Sequence, residues 1–149
     1  MKTVRKTSVF PAPKERVFHL LQRLDTLQYI AKPYATFTPV HPDQPISWMP
    51  GATAAFRFRL FGILPMGLHT IRIERFDMET GVQSREGNRF VPLWDHEIIL
   101  NAIDASHTEY TDRVNIDAGW RTPFVYAWAC CFYAHRQKKW VRLLKRSAV

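Results

Sequence analysis

A chain of 149 residues suits one domain with a real core and leaves no room for two ordinary ones. Lysine and arginine number 21 against 13 aspartates and glutamates, a net charge of +8 that permits contact with nucleic acid, anionic lipid or an acidic partner without establishing any of them. The opening MKTVRKTSVF lacks the continuous apolar segment of a secretory signal, and no run reaches the ~18 apolar residues of a membrane span, so a soluble, cytoplasmic protein is the expectation.

Thr3 to Phe10 alternates as a strand does. PAPKERVFHLLQRL follows, with Pro13 near the first helical position and Val17, Leu20, Leu21 and Leu24 on one face. A second short helix, DTLQYIA, starts at the capping residue Asp25 and must stop before Pro33, because the residue ahead of a proline is pushed out of helical geometry. From Pro39 to Gly51 four further prolines and weak periodicity predict a surface loop joining two strands.

Beyond that loop the period changes to two. In ATAAFRFRL, Ala54, Phe56, Phe58 and Leu60 share one face against Arg57 and Arg59; in LHTIRIERF, Ile71 and Ile73 oppose Thr70, Arg72 and Glu74. Between them FGILPMG reads as a turn with an unusual apolar load. It fits a cavity lip or membrane-touching tip, or a turn folded back on its own domain or packed in a homodimer. The second pair is favoured, since exposed apolar patches most often mark protein contacts.

A short strand around Gly81 to Arg85, a turn at EGN, a strand from Phe90 to Ile103, a turn at DASH and a strand from Thr108 to Ala118 complete the β region. From Pro123, PFVYAWACCFYAHRQKKWVRLLKR has no internal glycine or proline and carries Val125, Trp128, Ala129, Phe132, Arg136, Trp140, Leu143 and Leu144 along one helical stripe. At about 24 residues this helix runs roughly 36 Å, enough to cross a small domain. Cys130 and Cys131 are adjacent on it, which suits neither a structural disulfide nor a zinc site, and they read as buried or half-buried thiols. The expected class is α+β: an antiparallel meander with one dry face, covered by the long helix.

Four segments in this order resemble the START-related helix-grip (SRPBCC) superfamily, which includes lipid-transfer domains, pollen-allergen-like proteins and polyketide cyclases. They are TSVFPAPKERVFHLL, GNRFVPLWDHEIIL, HTEYTDRVNID and AHRQKKWVRLLKR. The resemblance implies one domain over residues 1–149, with a curved antiparallel sheet gripping a long C-terminal helix around an apolar cavity. Function varies across such a fold, so the fold does not settle activity. The segment VQSREGN departs from the family pattern at the far end of that cavity.

Asp95, His96 and Glu97, side by side in LWDHEII, look like a site but alternate faces on a strand and cannot converge on one ion. No metal and no cofactor is therefore expected. Trp94, His96, Ile98 and Leu100 form the inward face, leaving Asp95 and Glu97 toward solvent or a neighbouring strand. On the next strand Tyr110, Asp112, Val114 and Ile116 face inward. A register pairing Ile98 with Asp112 makes His96 and Asp112 diagonal neighbours, within side-chain reach.

Two polar groups in an apolar interior must satisfy each other or be satisfied by water or ligand. They read as a structural pair orienting a hairpin, or as the polar anchor of a pocket, which His69 could join. A third use, His96 as general base tuned by Asp112, lacks a nucleophile or oxyanion site to complete it. The aromatics Phe56, Phe58, Trp94, Tyr110, Trp128 and Phe132 all fall on inward faces and fit core or cavity lining equally, with Ile71 and Ile98 beside them.

Arg136, Lys138, Lys139, Arg142, Lys145 and Arg146 give the closing helix a basic character that the helix dipole alone favours near a C-terminus. No nucleic-acid-binding signature accompanies it, so nucleic acid is not expected as a partner; transient contact with an anionic membrane, or an acidic ligand headgroup, fits the charge equally well. Two functions follow as expectations. The first is binding of a small apolar or aromatic ligand, lipid or polyketide-like, without catalysis; the alternative is a cyclase- or dehydratase-type enzyme with His96 and Asp112 as acid and base.

Overall fold

The computed structural model describes residues 1–146. Strand β1 (Lys2–Phe10) ends at a proline and leads into helix α1 (Lys14–Leu21), whose first turn closes on the Pro13 carbonyl. Helix α2 (Leu24–Ala31) stops ahead of Pro33 as the proline rule requires. Then come β2 (Ala35–Pro39), β3 (Thr53–Leu60), β4 (Leu64–Asp77), β5 (Gly81–Asn88), β6 (Leu93–Asp104) and β7 (His107–Asp117). A single 3₁₀ turn leads into helix α3 (Thr122–Arg146).

The seven strands form one antiparallel sheet in the order β1-β7-β6-β5-β4-β3-β2. Each consecutive strand from β2 to β7 pairs with the next, so the sheet is a meander that β1 closes by returning beside β7. Register breaks at Arg57/Arg59, Ile73/Arg75 and Ala102/Asp104 mark bulges, which bend a sheet and increase its twist. Gly81 is required where β5 meets β6: its φ is +95°, and a Cβ there would lie 2.1 Å from the Ile98 carbonyl oxygen.

Helix α3 packs on β1, β7 and α2 and stands off from the middle strands. Its N-terminal half meets Val4, Trp94, Val114 and Ile116; its C-terminal half meets Phe10, Leu100 and Tyr110. A third small cluster of Phe56, Ile71 and Ile73 lies away from the helix. Among the described residues no helix is long and apolar enough to cross a membrane.

Several expectations are corrected in detail. The apolar turn is confined to Phe61–Ile63, and Pro65, Met66 and Gly67 belong to β4. It is not folded back on the domain: Ile63 is 81% exposed and Leu64 54%, and only Phe61 has a ring partner, Tyr34. The EGN segment is strand rather than turn, since β5 runs on to Asn88 and the chain reverses only after it. The Pro39–Gly51 loop is not wholly surface, because Ile46 and Trp48 pack on the Phe56 cluster. Strand β2 is too short to show a period. Cys130 is half-buried as expected, but Cys131 is exposed.

Candidate functional site

Because α3 is held at β1 and β7, a cavity of about 320 Å³ remains between it and strands β3 to β6. That is within the range of small-molecule pockets. Its wall is mostly apolar: Phe37, Phe58, Leu60, Met66, Ile71 and Ile73 from the sheet, Ile30 from α2, and Val125, Trp128 and Phe132 from α3. Trp48 closes one side and packs at a tilt against Phe76, the ring centroids 5.8 Å apart. The cavity reaches the surface beside Phe124, which lines it and is 72% exposed.

Of the inward residues expected from alternation, Phe58, Ile71, Trp94, His96, Ile98, Trp128 and Phe132 line this cavity. Phe56, Tyr110 and Asp112 do not. Phe56 is covered by Phe37 and the loop residues Ile46 and Trp48. Tyr110 is fully buried, stacked on Phe10 at 4.5 Å with Trp140 at 5.7 Å, and so is core. Asp112 lies behind His96, completely shielded. Alternation assigns a face but not a depth, which is why these three could not be separated from the wall by sequence.

The β6–β7 register pairs Ile98 with Asp112, and His96 Nε2 lies 2.7 Å from Asp112 Oδ1. Gln137 on α3 donates to Asp112 Oδ2 at 3.0 Å, and the Tyr110 hydroxyl donates to Oδ1 at 3.4 Å. Asp95 and Glu97 point to the other face, where Arg85 and Arg75 pair with them.

The residue that periodicity misses is Glu86. From β5 it reaches into the cavity with its side chain 11% exposed. Its Oε1 lies 2.9 Å from His69 Nε2; its Oε2 accepts from Ser84 at 2.7 Å and sits 3.5 Å from His96 Nδ1. The misread EGN turn hides it, because a strand residue read as a turn has no assigned face.

Proton positions follow from this geometry. Asn88 Oδ1 accepts the backbone amides of Phe90 and Val91, so its Nδ2 is the donor to His69 Nδ1. His69 therefore carries its proton on Nε2 and donates it to Glu86. His96 faces a carboxylate on each side, and carboxylates accept but do not donate when ionised, so the imidazolium satisfies both. Burial works against that charge, but Asp112 and Glu86 outweigh it and raise the pKa of His96. Burial likewise opposes ionisation of Glu86, yet the bonds from His69 and His96 hold its carboxyl well below the usual range. Asp112 is held low in the same way, by Arg136, His96 and Gln137 against its burial.

Arg136, expected on the stripe and also among the basic residues of the closing helix, is buried and lines the cavity. It is not part of a solvated basic face. The polar cluster thus holds two carboxylates bracketing one imidazolium, with the guanidinium of Arg136 near them but beyond ion-pairing distance, inside an apolar shell. Among the described residues no group of three or more potential ligands is placed to hold a metal.

An antiparallel meander wrapped on one long helix is the helix-grip fold, here with a side cavity ending on a buried polar cluster. The chain belongs to the family described as Domain of unknown function (DUF8410), whose model matches residues 8–144. No curated protein matches the sequence. Among solved structures, protein CV1439 from Chromobacterium violaceum is similar at 14% identity and a TM-score of 0.75, over 95% of this chain and 96% of its own. The Zhui aromatase/cyclase from Streptomyces sp. R1128 aligns at 14% identity and a TM-score of 0.72, over 99% and 96%. A START superfamily protein from Mycobacterium smegmatis aligns at 10% identity and a TM-score of 0.72, over 97% of each chain. At these identities the likeness is one of fold.

Proposed function

We propose that this protein binds a small apolar or aromatic molecule, of lipid or polyketide-like kind, in the cavity between the sheet and α3. The observation that carries this reading is the cavity itself: about 320 Å³ left open behind an aromatic wall, where a protein core is ordinarily close-packed. A largely greasy wall with a few placed polar groups is what binds and orients such ligands. The aromatase/cyclase and START superfamily neighbours support it by analogy of fold. Native mass spectrometry of the purified protein and a thermal-shift panel of lipids and aromatics test it. Bound mass or stabilisation by panel members is expected; a protein that carries nothing and responds to nothing overturns it.

A second reading is an enzyme of the cyclase or dehydratase kind. One observation favours it: the Nδ1 side of His96, whose carboxylate partner stands off at 3.5 Å, belongs to a side chain in the cavity wall. With Nε2 held by Asp112, the role open to His96 is proton donor rather than the base of the simpler expectation. Turnover of a poly-β-ketone substrate that falls in folded His96→Gln and Asp112→Asn variants is the result this reading requires. Unchanged turnover removes both residues from any mechanism.

The exposed rim at Phe61, Ile63 and Leu64 supports a contact surface at that hairpin, for a homodimer or for transient contact with an anionic membrane. We infer action in the cytoplasm, with sedimentation and vesicle flotation as the measurements that separate these contacts.

A further inference from the structure

The cavity is unevenly supplied with hydrogen-bonding groups. On the sheet side the acceptors are engaged: both oxygens of Glu86 by His69, Ser84 and His96, both oxygens of Asp112 by His96, Tyr110 and Gln137. On the helix side Gln137 is engaged too, but other donors are not. Arg136 is 6% exposed and lines the cavity, its Nε is buried with no hydrogen-bond partner, and among the described residues no carboxylate lies within ion-pairing distance. Its neighbours are phenols: the Tyr110 hydroxyl beside it, and the Tyr133 ring at 5.6 Å from the guanidinium carbon. Burial holds both phenols uncharged, so neither neutralises it.

Two more buried donors without partners, the indole N–H groups of Trp128 and Trp140, belong to residues lining the same cavity. At about 100° per residue, Trp128 and Trp140 stand roughly 80° and 40° to either side of Arg136, so the three fall within an arc of about 120° on α3. A buried cation and unpaired N–H groups are costly in an apolar surrounding unless an acceptor meets them. The Tyr110 hydroxyl and the more distant charge of Asp112 meet part of the guanidinium, but for Arg136 Nε and the two indole N–H groups the protein supplies no acceptor.

We propose that the ligand of this cavity carries an anionic oxygen, a carboxylate or phenolate, and that the guanidinium of Arg136 receives it while the apolar body lies along the aromatic wall. This rests on the ligand-binding reading above and narrows it from any apolar molecule to an amphipathic acid. Arginine suits the task because its planar fork stays charged when buried and meets a carboxylate with two parallel N–H bonds.

Isothermal titration with four probes tests it: 2-naphthoate and decanoate, against 2-naphthylmethanol and decan-1-ol. Wild-type protein is expected to bind each acid about tenfold or more tighter than its alcohol, as charge-assisted bonds in a desolvated site do. In Arg136→Met that preference falls to within about threefold, through a larger loss of affinity for the acids than for the alcohols, and Arg136→Lys, which keeps charge but loses the fork, lies between. Should Arg136→Met fail to fold, the acid-to-alcohol ratio of wild type and Arg136→Lys decides alone. Equal binding of acids and alcohols by wild type overturns the inference and leaves the cavity reading standing. Binding of none of the four overturns both.

Discussion

Toward the end of α3, Trp140 and Leu144 are fully buried against Phe10 and Tyr110, the three rings 4.5 to 5.7 Å apart. Toward its start, Val125 and Trp128 are only half-buried and face open space across from Phe58 and Leu60. One helix therefore closes a core at one end and roofs a cavity at the other. The difference lies in where the sheet holds it, at β1 and β7 and not at the middle strands. At the boundary sits the polar cluster of Glu86, His96, Asp112 and Arg136, which an all-apolar core has no use for.

If that contrast is right, the two ends respond differently to truncation. Phe10→Ala should destabilise by about 3–5 kcal/mol, since a large side chain leaves a closed core that cannot collapse. Leu60→Ala should cost about 1 kcal/mol or less, because Leu60 is half-buried and already borders empty space. Urea midpoints of the two variants give the comparison directly, and equal costs would mean that the cavity is packed in solution.

Removing the boundary is expected to be nearly as severe as removing the core. Asp112→Ala leaves the His96 imidazolium without its close buried counter-charge, at about 3–5 kcal/mol. Arg136→Met, which removes a cation lacking a close partner and keeps similar volume, should be within about 1 kcal/mol of wild type or stabilising. A large loss there would show that Arg136 is a structural strut.

A smaller effect is the pH dependence of stability. His96 has its pKa raised on folding, so its contribution is whole below the unfolded value of 6.5 and is lost as pH rises through the folded value. Glu86 and Asp112 have theirs lowered, from 4.5 and 3.8, so their contribution is whole above those values and is lost as pH falls through the folded ones. Melting temperature should therefore peak between about pH 5 and 6.5 and decline on both sides. His96→Gln should flatten the alkaline decline and leave an acid one. An unchanged alkaline limb would place that titration elsewhere.

Much of the fold was legible without coordinates because periodicity is a local property. Side chains on a strand alternate whatever surrounds them, so the split of Asp95 and Glu97 from His96 follows from spacing alone; the register pairing Ile98 with Asp112, one that inward faces allow, is reached through the bulge at Ala102/Asp104. Likewise the stripe from Val125 to Leu144 and the prolines that bound α1 and α2 mark their own helices.

What the tertiary structure decided is depth and company. Phe56, Phe58 and Tyr110 look alike in sequence, yet one is capped by a loop, one lines the cavity and one is core, because distant segments determine what covers each face. Glu86 becomes a cavity residue because β5 continues until Asn88 hooks the amides of Phe90 and Val91. Arg136 reads both as a member of the inward stripe and as one of the basic residues, and only α3 laid across the sheet decides between them. Sequence determines which way a side chain points along its own element; only the packing of elements against one another determines whether it meets water, a neighbour or a cavity.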